Sequence, residues 1–142
     1  MKHDEFIAEA QRRTRSGSRE EAESATAATL MTLSERLAGG EAKDLASQLP
    51  VEIGQFLLGP TSGMGQPFSL DEFFWRVSER EGVDLNDATF HARVVSALVA
   101  EAVTMGEIEN VRAQLPKDFA QLFNVENEGA VPEIDELPEE VE

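Results

Sequence analysis

HARVVSALVAEAVTMGEIENVRAQLP, residues 91–116, decides the fold, because its pattern has an earlier copy in the same chain. Gln48-Leu49-Pro50 aligns with Gln114-Leu115-Pro116, and the same alignment pairs Gly40-Glu41 with Gly106-Glu107, Glu35 with Glu101 and Gln55 with Gln121. Further upstream, Asp4-Glu5-Phe6 matches Asp71-Glu72-Phe73 once a single residue slips in the loop between. A repeat of about sixty residues that covers most of a chain fixes architecture better than any motif fixes activity. The reading is all-α: a duplicated helical repeat, two copies of about three to four helices packed around a shared core with a pseudo-twofold relation. Residues 1–58 form the first repeat, 59–67 a linker, 68–124 the second repeat and 125–142 an acidic, disordered tail.

Composition narrows the function classes. The formal charge is −16, with sequence pI near 4.4, and the summed field of such a chain repels phosphate, which disfavours general nucleic-acid or anionic-membrane binding. From Glu126 onward there are eight acidic residues and no basic one, which leaves 12 basic against 20 acidic residues before it. Lysine occurs only at Lys2, Lys43 and Lys117. Many carboxylates and few lysines fit a halophilic cytoplasm, where a hydrated acidic surface is screened from its own repulsion. The lack of cysteine removes disulfides, thiolate nucleophiles and cysteine-based metal sites. MKHDEFIAEA places acidic residues where a signal peptide needs an apolar core, and the longest apolar run, Val94 to Val103, is broken by Ser96 and Glu101. A soluble, cytoplasmic protein with no membrane segment is expected.

Taken in order, Asp4 to Thr14 reads as a helix with Phe6, Ile7 and Ala10 on one face. Ser18 caps a second helix that runs to about Ala38 on a Leu30, Leu33, Leu37 stripe, and Gly39-Gly40 stops it. A short helix, Glu41 to Leu49, gives way at Pro50 to a turn carrying Ile53, Phe56 and Leu57. GPTSGMGQP, residues 59–67, reads as a flexible linker. It lacks the Gly-Lys-Ser/Thr of a phosphate loop. Ser69-Leu70-Asp71-Glu72 has capping-box spacing, ahead of a helix that buries Phe73, Phe74 and Val77 and leaves Trp75 off that arc. Val83 and Leu85 anchor the next loop, Asp84 or Asn86 caps the long helix from Asp87 to Val103, and that helix is apolar nearly all round and therefore central. Ile108, Val111 and Leu115 repeat the short-helix face, followed by Phe119, Leu122 and Phe123.

AspGluPhe opening a helix, GlyGlu opening a shorter one, and GlnLeuPro closing it before Asp-Phe-Ala-Gln-Leu-Phe resemble the prokaryotic family called domain of unknown function 2267. The resemblance covers about Asp4 to Phe123 and is strongest from Phe68 onward. It implies an all-α duplicated fold and brings no established activity, cofactor or catalytic residue. The first copy departs from the pattern, with RRTRSGSR where the second has SEREGVDL, so the halves are related but unequal.

Several residues are candidates for chemistry. Glu41 and Glu107, each in a first helical turn, would form a paired acidic site across a pseudo-twofold axis, as general acid-base work or metal binding requires. Stabilising the helix dipole is the plainer role and is preferred. Gln48 and Gln114 are expected to hydrogen-bond backbone at the helix junctions, with Gly40, Pro50, Gly106 and Pro116 shaping the same turns. Asp87 and His91, at i and i+4, have ligand spacing but no second histidine in the body to complete a metal site. No triad or Gly-rich phosphate site is present, so no catalytic residue, metal or cofactor is expected. Trp75, off the main apolar face, either covers a neighbouring helix of the same chain, the preferred reading, or is an interface anchor. Arg12, Arg13, Arg15 and Arg19 either balance a helix end and nearby carboxylates or dock a phosphate or an acidic segment, the chain's own tail included.

The expected function is a non-catalytic protein-protein interaction module that uses a face including Trp75, with the tail as a second contact. Its partner is an unidentified protein, a second copy of the chain among the candidates. A nucleic-acid or ribosomal RNA binder through the arginine cluster is the alternative, and a carboxylate-based enzyme ranks third.

Overall fold

The computed structural model describes residues 1–123, so the expected tail lies outside the described residues. The chain forms α1 (His3–Thr14), α2 (Arg19–Arg36), α3 (Glu41–Ala46) and α4 (Val51–Gly54), the last running into a 3-10 turn at Gln55–Leu57. Then come α5 (Leu70–Glu81), α6 (Leu85–Ala102), α7 (Met105–Ala113) and a closing 3-10 helix at Lys117–Phe123. There is no strand among the described residues; Ala38 and Met64 make one isolated antiparallel bridge.

Local chemistry sets the helix starts. Ser18, Ser69, Asp84 and Thr104 each accept the backbone N–H three residues on, from Glu21, Glu72, Asp87 and Glu107. Such caps satisfy N–H groups that have no partner within the helix, and each stabilises by about 1 kcal/mol. The capping box expected at Ser69 is half made. Glu72 accepts instead from Arg76 Nε at 3.0 Å, a charge-assisted partner one turn on that outcompetes a neutral amide. At α1 it is the Lys2 N–H that donates to Glu5, at 2.8 Å.

Three boundaries differ from the sequence reading. α3 ends at Ala46 and not at Leu49, because Gln48 and Leu49 donate three residues back, to Leu45 and Ala46, and the chain turns. α2 ends at Arg36 and not at Ala38, because Leu37 turns extended to bury its side chain while Ala38 pairs with Met64 and with Gln114. Leu85 does not anchor a loop; it opens α6 and is 48% exposed, and Val83 alone packs on the core.

The buried side chains form one continuous cluster that draws on every helix: Phe6 and Ile7 of α1, Leu30 and Leu33 of α2, Leu45 of α3, Ile53 of α4, Phe73 of α5, Leu98 of α6, Val111 of α7 and Phe119 of the 3-10 helix. α6 is central as its composition requires, packed against α1, α2, α5 and the 3-10 helix. α2 is central as well, although rich in Ala and Thr. Thr26 and Thr32 are fully buried because their hydroxyls donate to the carbonyls of Ala22 and Ala28 one turn back, which removes the penalty of an unpaired polar atom.

The linker is strapped down where its composition predicted flexibility. Gly63, Gly65 and Gln66 donate N–H groups to Ser34, Leu37 and Glu35 at 2.8, 3.0 and 2.9 Å, and so satisfy carbonyls at the end of α2. Gly65 has φ +63 and lies where an added Cβ would stand 2.9 Å from that of Ala38. Gly54 is equally constrained by space, since its Cβ would sit 2.7 Å from the Ala46 carbonyl oxygen. Gly54→Ala should therefore force α3 and α4 apart and lower the unfolding free energy by about 2 kcal/mol, read by urea denaturation. An unchanged midpoint would show that the turn yields freely.

Candidate functional site

α3 and α7 pack side by side, and their ends are tied in a reciprocal way. Gln48, just past α3, accepts the N–H of Thr104, the residue that caps α7, at 2.8 Å. Gln114, just past α7, accepts the N–H of Ala38 ahead of α3, also at 2.8 Å, and its Nε2 donates back to the Ala38 carbonyl at 3.4 Å. Each glutamine thus closes the backbone that leads into the opposite short helix. Gly40 supplies the carbonyl that accepts from Asp44, Gly106 lies in the first turn of α7, Pro50 precedes α4, and the Pro116 carbonyl accepts from Phe119 to start the 3-10 helix.

Glu41 and Glu107 meet in this junction. Glu107 is only 6% exposed, and the Oε2 atoms of both residues are buried without a donor among the described residues. Ionised carboxylates can only accept, so two facing each other leave buried lone pairs unpaired; a proton on one turns it into a donor. Burial, then the hydrogen bond to Glu41, then the charges of Glu41 and Asp44 push the Glu107 carboxyl up to about 7. The chemistry open to such a pair is to hold and release a proton near neutral pH. Among the described residues no group of three or more His, Asp or Glu side chains could hold a metal ion.

A second buried carboxylate escaped the sequence reading. Glu35 accepts from Arg80 at 2.9 and 2.5 Å, from Arg76 at 3.0 Å and from Thr61 of the linker at 3.0 Å. Its signal was a charge inside the Leu30, Leu33, Leu37 stripe, opposite two arginines spaced i, i+4 on α5. Glu101 of α6 is held in a similar way by Arg13 of α1, at 2.8 and 3.1 Å.

The remaining candidates fall apart spatially. Arg12 and Arg13 bind Glu9, Arg13 also binds Glu101, Arg19 binds Asp4 at 2.7 Å, and Arg15 lies over the Phe90 ring at 5.9 Å from its centroid. The cluster is thus committed to neighbours in the same chain. His91 engages Glu81 rather than Asp87, with Nδ1 2.5 Å from a carboxyl oxygen. Trp75 is 51% exposed on the outer side of α5, while no phenylalanine reaches that class. A hollow of about 300 Å³ between α7 and the 3-10 helix is lined by Arg112, Leu115, Pro116, Lys117 and Phe119 among others, with no acid or histidine. No helix among the described residues is long and apolar enough to cross a membrane.

A comparison with curated proteins returns no match. Residues 3–122 match the model of a family described as "Uncharacterized conserved protein (DUF2267)", a span that runs from the start of α1 into the closing 3-10 helix, and the chain belongs to that family.

Proposed function

We propose that the protein is a non-catalytic interaction module whose docking face is the outer side of α5, and that it takes a cationic segment of a partner protein. The observation that carries this reading is the exposure of Trp75 in a chain that otherwise keeps its aromatic rings from solvent. One turn to either side on a helix lie positions i−4, i−3, i+3 and i+4, here Asp71, Glu72, Ser78 and Glu79. Glu72 already accepts from Arg76, so Asp71 and Glu79 are the carboxylates beside the indole that suit an arginine or lysine, which gains a cation-π contact and an ion pair together. The net charge of −16 adds long-range attraction for such a segment. An RNA-binding role finds less support, because the arginines it would use are engaged with Glu9, Glu101, Asp4 and Phe90.

We also take the two halves to be unequal copies about a pseudo-twofold axis between α3 and α7. Support comes from the paired glutamine contacts, from the Arg13–Glu101 and Arg80–Glu35 pairs, and from helix lengths of 12 residues for α1 and α5 and 18 for α2 and α6. On that reading the docking face belongs to one copy alone. No second tryptophan exists to repeat it.

Fluorescence anisotropy of a labelled arginine-rich nonapeptide tests the docking face. Trp75→Ala should weaken binding roughly tenfold, as for an interface anchor. Neutralising Asp71, Glu72 and Glu79 as amides should weaken it similarly, while the same change at Glu20, Glu23 and Glu52 leaves it near the wild type. Equal losses from the two triple variants would reduce the effect to bulk charge and sink the proposal.

A further inference from the structure

We propose that Glu41 and Glu107 form a proton-operated latch between α3 and α7, closed while the pair shares one proton and loosened when both carboxyls ionise. The geometry rests on two independent observations. The Glu107 side chain is more than nine-tenths buried with an oxygen that finds no donor, and the matching oxygen of Glu41 is buried and equally unpaired. On either side of the pair, Gln48 and Gln114 hold the backbone of Thr104 and Ala38, so any separation of the acids acts on both contacts.

The surrounding charges favour the protonated state. On α3, Glu41 and Asp44 both raise the proton affinity of Glu107. The other ionisable groups on the elements packed there are Lys43 on α3, Glu52 on α4, Glu109 and Arg112 on α7, and Lys117 and Asp118 on the 3-10 helix. None of these forms an ion pair or a hydrogen bond with Glu107 among the described residues. With no cation at hand to compensate a second negative charge, the junction takes its proton from water as the pH falls and returns it as the pH rises. The ionised pair then repels across a dry contact. The folded state binds this proton more tightly than the unfolded chain does. The latch is therefore fully stabilising below the ordinary glutamate value of 4.5 and loses its effect as the pH climbs through about 7. The device sits apart from Trp75 and does not depend on the docking face.

The test uses the full-length chain, uniformly labelled with carbon-13, with the Glu107 carboxyl assigned through bonds. Its resonance should titrate with a midpoint near 7, and amide protection at Ala38 and Thr104, corrected for intrinsic exchange, should fall about tenfold between pH 6 and pH 8.5. In Glu107→Gln, where the amide donates to Glu41 at every pH, that protection should stay flat. A midpoint near 4.5, or the same fall in protection in both proteins, would overturn the latch. Loss of the titration step in millimolar calcium would also overturn it, by making the pair a cation site. The wild-type carboxyl titration decides the matter even if the variant fails to fold.

Discussion

Glu35→Ala is expected to remove about 3–4 kcal/mol of stability, a large share of the roughly 5–15 kcal/mol available to a domain of this size. The side chain is 4% exposed and binds Arg80, Arg76 and Thr61 together, so its loss takes from Arg80, which keeps Thr32, its only carboxylate among the described residues, and removes the side-chain tie between the linker and α2. Burial pushes the Glu35 carboxyl up, but hydrogen bonds from Arg80 and Thr61, the charge of Arg80 and the bond from Arg76 outweigh it and leave the group below the usual value of 4.5. The sign follows from linkage. A carboxyl held low when folded stabilises above 4.5, and that contribution fades as the pH falls through its folded value. Thermal unfolding of Glu35→Ala should thus show a midpoint about ten degrees below wild type at pH 7, with the gap narrowing as the pH falls below 4.5. Glu35→Gln should fall between the two at neutral pH, because the amide keeps its shape and loses only its charge. A loss under about 1 kcal/mol at pH 7 would mean that the bonds Arg76 already makes to Glu72 and Gln66, and Arg80 to Thr32, suffice without the Glu35 carboxylate.

Glu35 and Glu107 impose opposite pH slopes in separate windows. The Glu35 contribution changes only below 4.5 and the Glu107 contribution only between 4.5 and about 7, so their sum rises with pH and then falls. Differences against Glu35→Gln and Glu107→Gln assign each slope to its group.

What the sequence disclosed followed what depends on short range. Caps at Ser18, Ser69 and Asp84 and the apolar faces of α1, α5 and α6 depend on spacing within one helix, and periodicity reports spacing. The path of residues 59–67 was misread because composition records how many conformations a glycine-rich segment allows, not which acceptors wait beside it. Here the acceptors are the frayed carbonyls of α2, which no local pattern reveals. The acidic pair is the instructive case. Glu41 and Glu107 could be placed at equivalent positions by matching residues, yet a first-turn glutamate usually serves the helix dipole in solvent. The decisive fact is that α3 and α7 face each other, which buries Glu107 and one carboxyl oxygen of the half-buried Glu41, and that is a property of packing between segments far apart in the chain. Glu35 shows the same limit from the other side, since its arginines are visible as charges on α5 but their reach across to α2 is not.

Phe73→Ala should be the most damaging single truncation, costing about 4 kcal/mol. The ring is fully buried, edge-on to Phe119 at 5.9 Å between centroids and 87°, edge-on to Phe74 at 6.0 Å and 90°, and 6.4 Å from Phe68. It therefore joins α5 to the end of the linker and to the 3-10 helix that closes the core. Part of its contribution is area removed from water, which any ring of that size would supply. The rest depends on the quadrupole contact with Phe119, which aligns a positive edge with a negative face. A double-mutant cycle separates the two: Phe73→Leu with Phe119→Leu, measured by chemical denaturation, keeps most of the buried volume and removes the aromatic pair. The singles should each cost about 1–2 kcal/mol and the double less than their sum by about 1 kcal/mol. Additive losses would mean that the rings only share a core. A positive coupling would mean that the 3-10 helix, which also packs on α7, is held to α5 by a directional contact. In that case loosening Phe119 should propagate to the junction where Gln48 meets Thr104, and amide exchange at Thr104 would rise in Phe119→Leu while that at Thr26, deep in α2, would not.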